Sequence, residues 1–251
     1  MSDFDRNLAT ARTGYRTDQV AVDAGLRAHM IRVYNYMAAG VALTGLVAWF
    51  TFSAAVTQSG GGLGLTSFGQ AIYSGPLMWI LILAPLGLVF AISFGINRLS
   101  PSAALGLFFL YAGLLGVSLS SIFLVYTGQS ITRVFFISAA TFGSLSLYGY
   151  TTKRDLGPIG SFLFMGLIGI VIASLVNIFL ASNALSWMIS VIGVLVFAGL
   201  TAWDTQKIKE MYSVNDDGTV AGRKAVMGAL SLYLDFINLF LMLLRIFGDR
   251  R

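Results

Sequence analysis

An all-α integral membrane protein with seven spanning helices is the fold class this sequence predicts. Three observations carry that prediction. Of the 251 residues, 57% are hydrophobic and only 11% are charged, whereas soluble domains carry about 25% charged residues. Mean hydropathy is +0.80. The apolar residues are gathered into seven runs, each near the roughly 20 residues that a bilayer demands of a helix.

Taken in order, Met1–Arg32 is hydrophilic and mixed in charge. It reads as a polar N-terminal tail, partly disordered, with an interfacial helix near Val20–Val33, and residues 33–251 form the membrane domain. The tail lacks the short apolar core and small-residue cleavage site of a secretory signal. The spans are expected at Tyr34–Ala54, Leu77–Ile96, Ala103–Leu124, Ile131–Tyr148, Ile159–Leu180, Ala184–Trp203 and Ala225–Phe247. The fourth is the weakest, diluted by Thr132, Arg133, Ser138, Thr141, Ser144 and Ser146. Between the first two spans, Ser53–Gly75 is glycine-rich and uncharged, which reads as a flexible loop. Small residues four apart, Ala112, Gly116 and Ser120, or Gly169 and Ala173, read as tight helix-packing faces.

Basic residues set the orientation. One side holds Arg6, Arg12, Arg16, Arg27, Arg32, Arg98, Lys153, Arg154, Lys207, Lys209, Arg223 and Lys224, and the other Arg133, Arg245, Arg250 and Arg251. This favours a cytoplasmic N-terminus. Seven spans then put three C-terminal arginines outside, and a last segment that re-enters from the inner face is the alternative topology. The net charge of +5 lies in tails and loops, so it signals topology and lipid headgroups rather than nucleic acid.

Composition also excludes functions. Cysteine is absent, which removes disulfides, thiolate metal sites and cysteine catalysis. A retinal Schiff base needs a lysine within a span, yet Lys153, Lys207, Lys209 and Lys224 fall between spans. The single histidine, His29, lies in the tail and reads as a solvated or headgroup-facing residue. No HExxH occurs, so a zinc protease is excluded. No enzymatic activity and no cofactor are expected.

Two acids remain. Asp235 stands near the middle of Ala225–Ile246, with no charge from Ala225 to Leu234 or from Phe236 to Leu244. A centred aspartate costs about 2.5–3.5 kcal/mol on insertion scales, so it is usually partnered and functional. Asp204 closes the preceding run and is the obvious partner. If the two carboxyls meet, burial and mutual repulsion favour keeping a proton between them, and they titrate as a pair. Deprotonated, they offer hard oxygen ligands that suit Ca²⁺, weakly, because waters or carbonyls must complete the shell. Arg98, after the second run, is a candidate counter-charge. Asn238, Tyr233 and Asn177 are further polar candidates for pore lining or support.

The strings ALSLYLDFINLFLMLLRIFG and VNIFLASNALSWMISVIGVLVFAGLTAWDTQKI closely resemble bacterial members of the Bax inhibitor-1 (transmembrane Bax inhibitor motif) family. The likeness is strongest over Thr141–Gly248 and collinear through the first three spans. It implies six helices around a central C-terminal seventh, and a calcium leak regulated by pH. The family's proton-sensing aspartates fall on Asp204 and Asp235. An arginine ending the second helix, which bonds the first aspartate in the closed form, falls on Arg98. Relatives can carry an arginine cluster there and an acid within the second helix, and Leu77–Ile96 has no acid. The expectation is a passive, pH-sensitive calcium leak in a bacterial inner membrane. A scaffold that restrains a membrane-protein partner, such as a quality-control protease, and a proton/cation antiporter are the alternatives.

Overall fold

A computed structural model of the chain describes residues 3–59 and 62–251, with side-chain surroundings for residues 24–57 and 63–251. Helix α1 (Asp3–Ala55) leads into a two-stranded hairpin, β1 (Val56–Ser59) and β2 (Gly62–Leu65), paired antiparallel with Val56 opposite Leu65. Then come α2 (Ser67–Tyr73), α3 (Leu77–Gly95), α4 (Pro101–Leu119), the short α5 (Ile122–Val125), α6 (Gly128–Thr151), α7 (Gly157–Leu180), α8 (Asn183–Glu210) and α9 (Gly218–Phe247). Seven segments are long and apolar enough to cross a bilayer. They coincide in order with the expected runs.

Helix starts follow local chemistry. Ser100, Thr127, Ser182 and Asp217 each accept a hydrogen bond from the backbone N–H three residues on, the arrangement that satisfies an orphan donor at a helix N-terminus. The serines and threonines of the fourth span do not prevent it from crossing. Thr132, Ser138, Thr141 and Ser144 donate back to carbonyls one turn earlier, so their hydroxyls are satisfied within the helix.

Several expectations need correction. The polar N-terminal segment is helical from Asp3 and continuous with the first span. His29 is 6% exposed and its ring centroid lies 5.7 Å from that of Tyr212, so it is neither solvated nor headgroup-facing. The charge-free loop folds into the hairpin and α2, with Thr66 capping α2 and donating to Ala54 O. Of the small-residue faces, Gly116 packs against Thr44 and Val47 of α1, whereas Gly169 faces open space.

The last helix does not re-enter. At its start, Arg223 donates to Leu99 O (2.7 Å) in the α3–α4 turn. Beyond its end, Arg250 pairs with Tyr126 and the Arg251 N–H donates to Val125 O. These anchors lie at opposite ends of the bundle, so α9 crosses it completely. It is also the centre, with 72% of its apolar window buried against 6% for α7. Helices α1, α4, α6 and α8 pack directly on it, while α3 packs chiefly on α4 and α7 on α8.

Candidate functional site

The site is built by α7, α8 and α9. Helices α8 and α9 run antiparallel, and glycines let them approach: Gly228 faces Ile208, and Gly193 faces Met242. That register sets Asp204 level with Leu232, about one helical turn from Asp235. On its other faces α8 is fixed just as closely. The Ala202 carbonyl lies against Gly149 of α6, and the Trp203 ring fills the space left by Gly160 of α7. A side chain at Gly149 would meet the α8 backbone at Ala202, and one at Gly160 would displace the Trp203 ring.

The result is the juxtaposition expected from the sequence. The side chains of Asp204 and Asp235 lie within hydrogen-bonding reach of each other. Two carboxylates only accept, so a bond between them requires a proton on one. Asp235 is 5% exposed, and its Oδ2 finds no donor from any other group. Asp204 is half-buried and lies well within α8, which continues two turns beyond it to Glu210; it does not mark the helix end. Both acids line a cleft of about 620 Å³ between α7 and α9, whose walls are otherwise largely apolar, with Phe164, Leu167, Val171 and Phe197 among them.

The counter-charge differs from expectation. Arg98 is exposed beyond the end of α3 and forms no ion pair with either acid. The cation that shares the cleft with Asp204 is Lys207, one turn on along the same helix, with its Nζ 5.0 Å from the Trp203 ring and no ion pair to Asp204 among the described residues. Its spacing of three residues from Asp204 was the signal that could have found it. Asn238 does line the cleft, but its Nδ2 donates to Leu234 O (2.8 Å).

Tyr233 and Asn177 are brought elsewhere. Tyr233 is fully buried on another face of α9, edge-on to Phe108 and Tyr111, with its hydroxyl 2.6 Å from Thr44 Oγ1. Asn177 joins α7 to α8 at the far end: its Nδ2 donates to Ser186 (2.7 Å) and its Oδ1 accepts from the Ser182 N–H. One element was not foreseen. A chain of hydroxyls runs from Tyr34 through Ser146 (2.6 Å) to Thr205 (2.9 Å), tying α1 and α6 to the residue after Asp204. No cluster of three metal-ligating acids or histidines occurs among the described residues.

Fold and site together define an integral membrane protein with seven candidate spans, whose central helix carries one half of a carboxyl pair. Comparison with known proteins then gives the family. The family model described as "Inhibitor of apoptosis-promoting Bax1" matches residues 26–251. The chain is 49% identical over 231 residues to "Inner membrane protein YbhL" of Escherichia coli K12, covering 91% of this chain and 94% of that one. It is 47% identical over 251 residues, all of both chains, to "Uncharacterized protein RP147" of Rickettsia prowazekii. A protein of Borreliella burgdorferi is 54% identical over 172 residues, 68% of this chain and 74% of its own. The protein belongs to the Bax inhibitor-1 family.

Proposed function

We propose that this protein is a passive, pH-sensitive cation leak, with Ca²⁺ as the permeating ion, gated by a proton shared between Asp204 and Asp235. One observation carries the reading: the two carboxyls meet on neighbouring helices inside an apolar cleft. With one proton between them they hold α8 against α9. Without it, two like charges face each other where the surroundings screen poorly, and the helices are driven apart.

The sign follows from the proton itself. The packed arrangement binds it, so packing is favoured at low pH and loses support as pH rises and the proton leaves. The separated, ionised carboxylates then present oxygen ligands suited to a hard divalent cation, with waters completing the shell. Lys207 brings a positive charge into the same cleft. The inner membrane, with the N-terminus in the cytoplasm, is the setting we infer from the basic residues and from the name of the Escherichia coli relative.

Vesicles reconstituted with the full chain test this. Ca²⁺ flux should rise with pH, and Asp235→Asn should abolish most of that dependence. Wild-type vesicles no leakier than empty ones at every pH would refute the reading. An antiporter would move Ca²⁺ uphill under an imposed proton gradient, and a scaffold would keep its partner in Asp235→Asn.

A further inference from the structure

A second cavity lies at the end of the bundle opposite the α8–α9 turn, and its chemistry is the reverse of the acid cleft. It encloses about 640 Å³ between the C-terminal end of α7, the first turns of α8 and the residues after α9. Arg245 and Arg250 line it, and no aspartate or glutamate does. Among the described residues neither arginine forms an ion pair. The one acid nearby, Asp249, is already engaged: its Oδ2 accepts from Arg133 (3.0 Å) and its N–H donates to Ser130 (2.9 Å). The other polar groups are largely engaged: the Ser190 hydroxyl donates to Ser186 O, and the Asn177 amide donates to Ser186 and accepts from the Ser182 N–H. Ser186 accepts from Asn177 Nδ2, which leaves its own hydroxyl proton without a protein acceptor among the described residues. The backbone is fixed at both arginines, with Arg250 bridged to the buried Tyr126 and Arg245 in the last turn of α9, and both side chains are exposed.

Two arginines and the Ser186 hydroxyl lining one cavity without an aspartate or glutamate suit a phosphate-class anion, since guanidinium presents paired N–H groups that match phosphate oxygens. We propose that this cavity binds a phosphate group, carried either by an anionic phospholipid headgroup or by soluble phosphate. Its walls offer a place for a lipid tail as well. Ser174 and Ile178 line both this cavity and the apolar cleft between α7 and α9, so a headgroup on the arginines can lay an acyl chain along Val171 and Leu175. The arginine end of the site is distinct from the carboxyl pair, although the tail shares the cleft that Asp204 and Asp235 line, and its test needs no ion flux.

The full chain, purified in neutral detergent, is melted with added phosphatidylglycerol, with phosphatidylcholine, or with inorganic phosphate against sodium chloride of equal ionic strength. Phosphatidylglycerol should raise the melting temperature more than phosphatidylcholine if a lipid head is the ligand. Phosphate should raise it more than chloride if a soluble anion is. Arg245→Gln/Arg250→Gln should lose the preference, while Arg154→Gln, at the other end of the bundle, should keep it. Should the double variant fail to fold, each single variant should weaken binding about fivefold, the contribution of one arginine near a lipid surface. A wild type that prefers neither phosphatidylglycerol nor phosphate, or a preference that survives loss of both arginines, overturns the proposal.

Discussion

Helices α7 and α9 make an instructive pair. The more hydrophobic of the two, α7, with a mean hydropathy of 2.5 over its apolar window, is the one left outside at 6% buried. The less hydrophobic α9, at 1.8 and carrying Asp235, sits in the middle at 72% buried. In water the order would be reversed. In lipid there is no reward for hiding apolar surface from the solvent, so helices associate through close packing and hydrogen bonds. Helix α9 has both, with Gly228 on Ile208, Tyr233 bonded to Thr44, and Asp235 on Asp204. Helix α7 turns Phe162, Met165, Ile178 and Phe179 outward and touches the bundle chiefly through α8.

This contrast can be broken by substitution. The largest effect on stability is expected from core truncation. Leu232→Ala on α9, fully buried, should cost about 2–5 kcal/mol, whereas Phe179→Ala on α7, 89% exposed, should cost almost nothing. Denaturant unfolding in mixed micelles reads both. Next come the glycines. Gly160→Leu drives a side chain into the Trp203 ring and should cost about 1–3 kcal/mol, while Gly169→Leu, which meets no neighbour, should be neutral in the same assay.

Smaller effects sharpen the comparison. Tyr233→Phe removes the 2.6 Å contact with Thr44 and should cost about 0.6 kcal/mol and no more than about 1.7. Lys207→Gln should leave unfolding nearly unchanged. Because it withdraws a positive charge from the cleft that Asp204 lines, Ca²⁺ flux should begin only at higher pH, as a pH series on vesicles would show. Arg133→Gln breaks the exposed pair with Asp249 and should cost no more than about 1 kcal/mol.

Much of this arrangement was legible in the sequence, for reasons that can be named. Continuous apolar runs are a one-dimensional signal, so all the spans and their order could be read directly. A lone charge in such a run has few explanations, which is why Asp235 and its partner Asp204 stood out. What could not be read depends on rotation about a helix axis. Tyr233 and Asp235 are two residues apart, yet one faces α1 and α4 and the other α8. His29 looked like part of a polar tail, but the helix continues through it and buries it against Tyr212. Arg98 matched the family's pattern by position, while the cation that shares the cleft with Asp204 is Lys207, whose place there depends on α8 continuing past the apolar run. The arginines at the C-terminal end looked like a conflict of topology; in the fold, one of them, Arg251, donates to Tyr126 O and two line a cavity.

Infrared difference spectroscopy of the reconstituted protein addresses the gate most directly, because a protonated carboxyl and a carboxylate absorb at different frequencies. A protonated-carboxyl band should be present at low pH, vanish as pH rises over the range in which Ca²⁺ flux appears, titrate over a different range in Asp204→Asn and in Asp235→Asn, and be missing from the double variant. A wild-type spectrum with no such band at any pH, or a band whose titration is unchanged by replacing either aspartate, would contradict a proton held between the two helices.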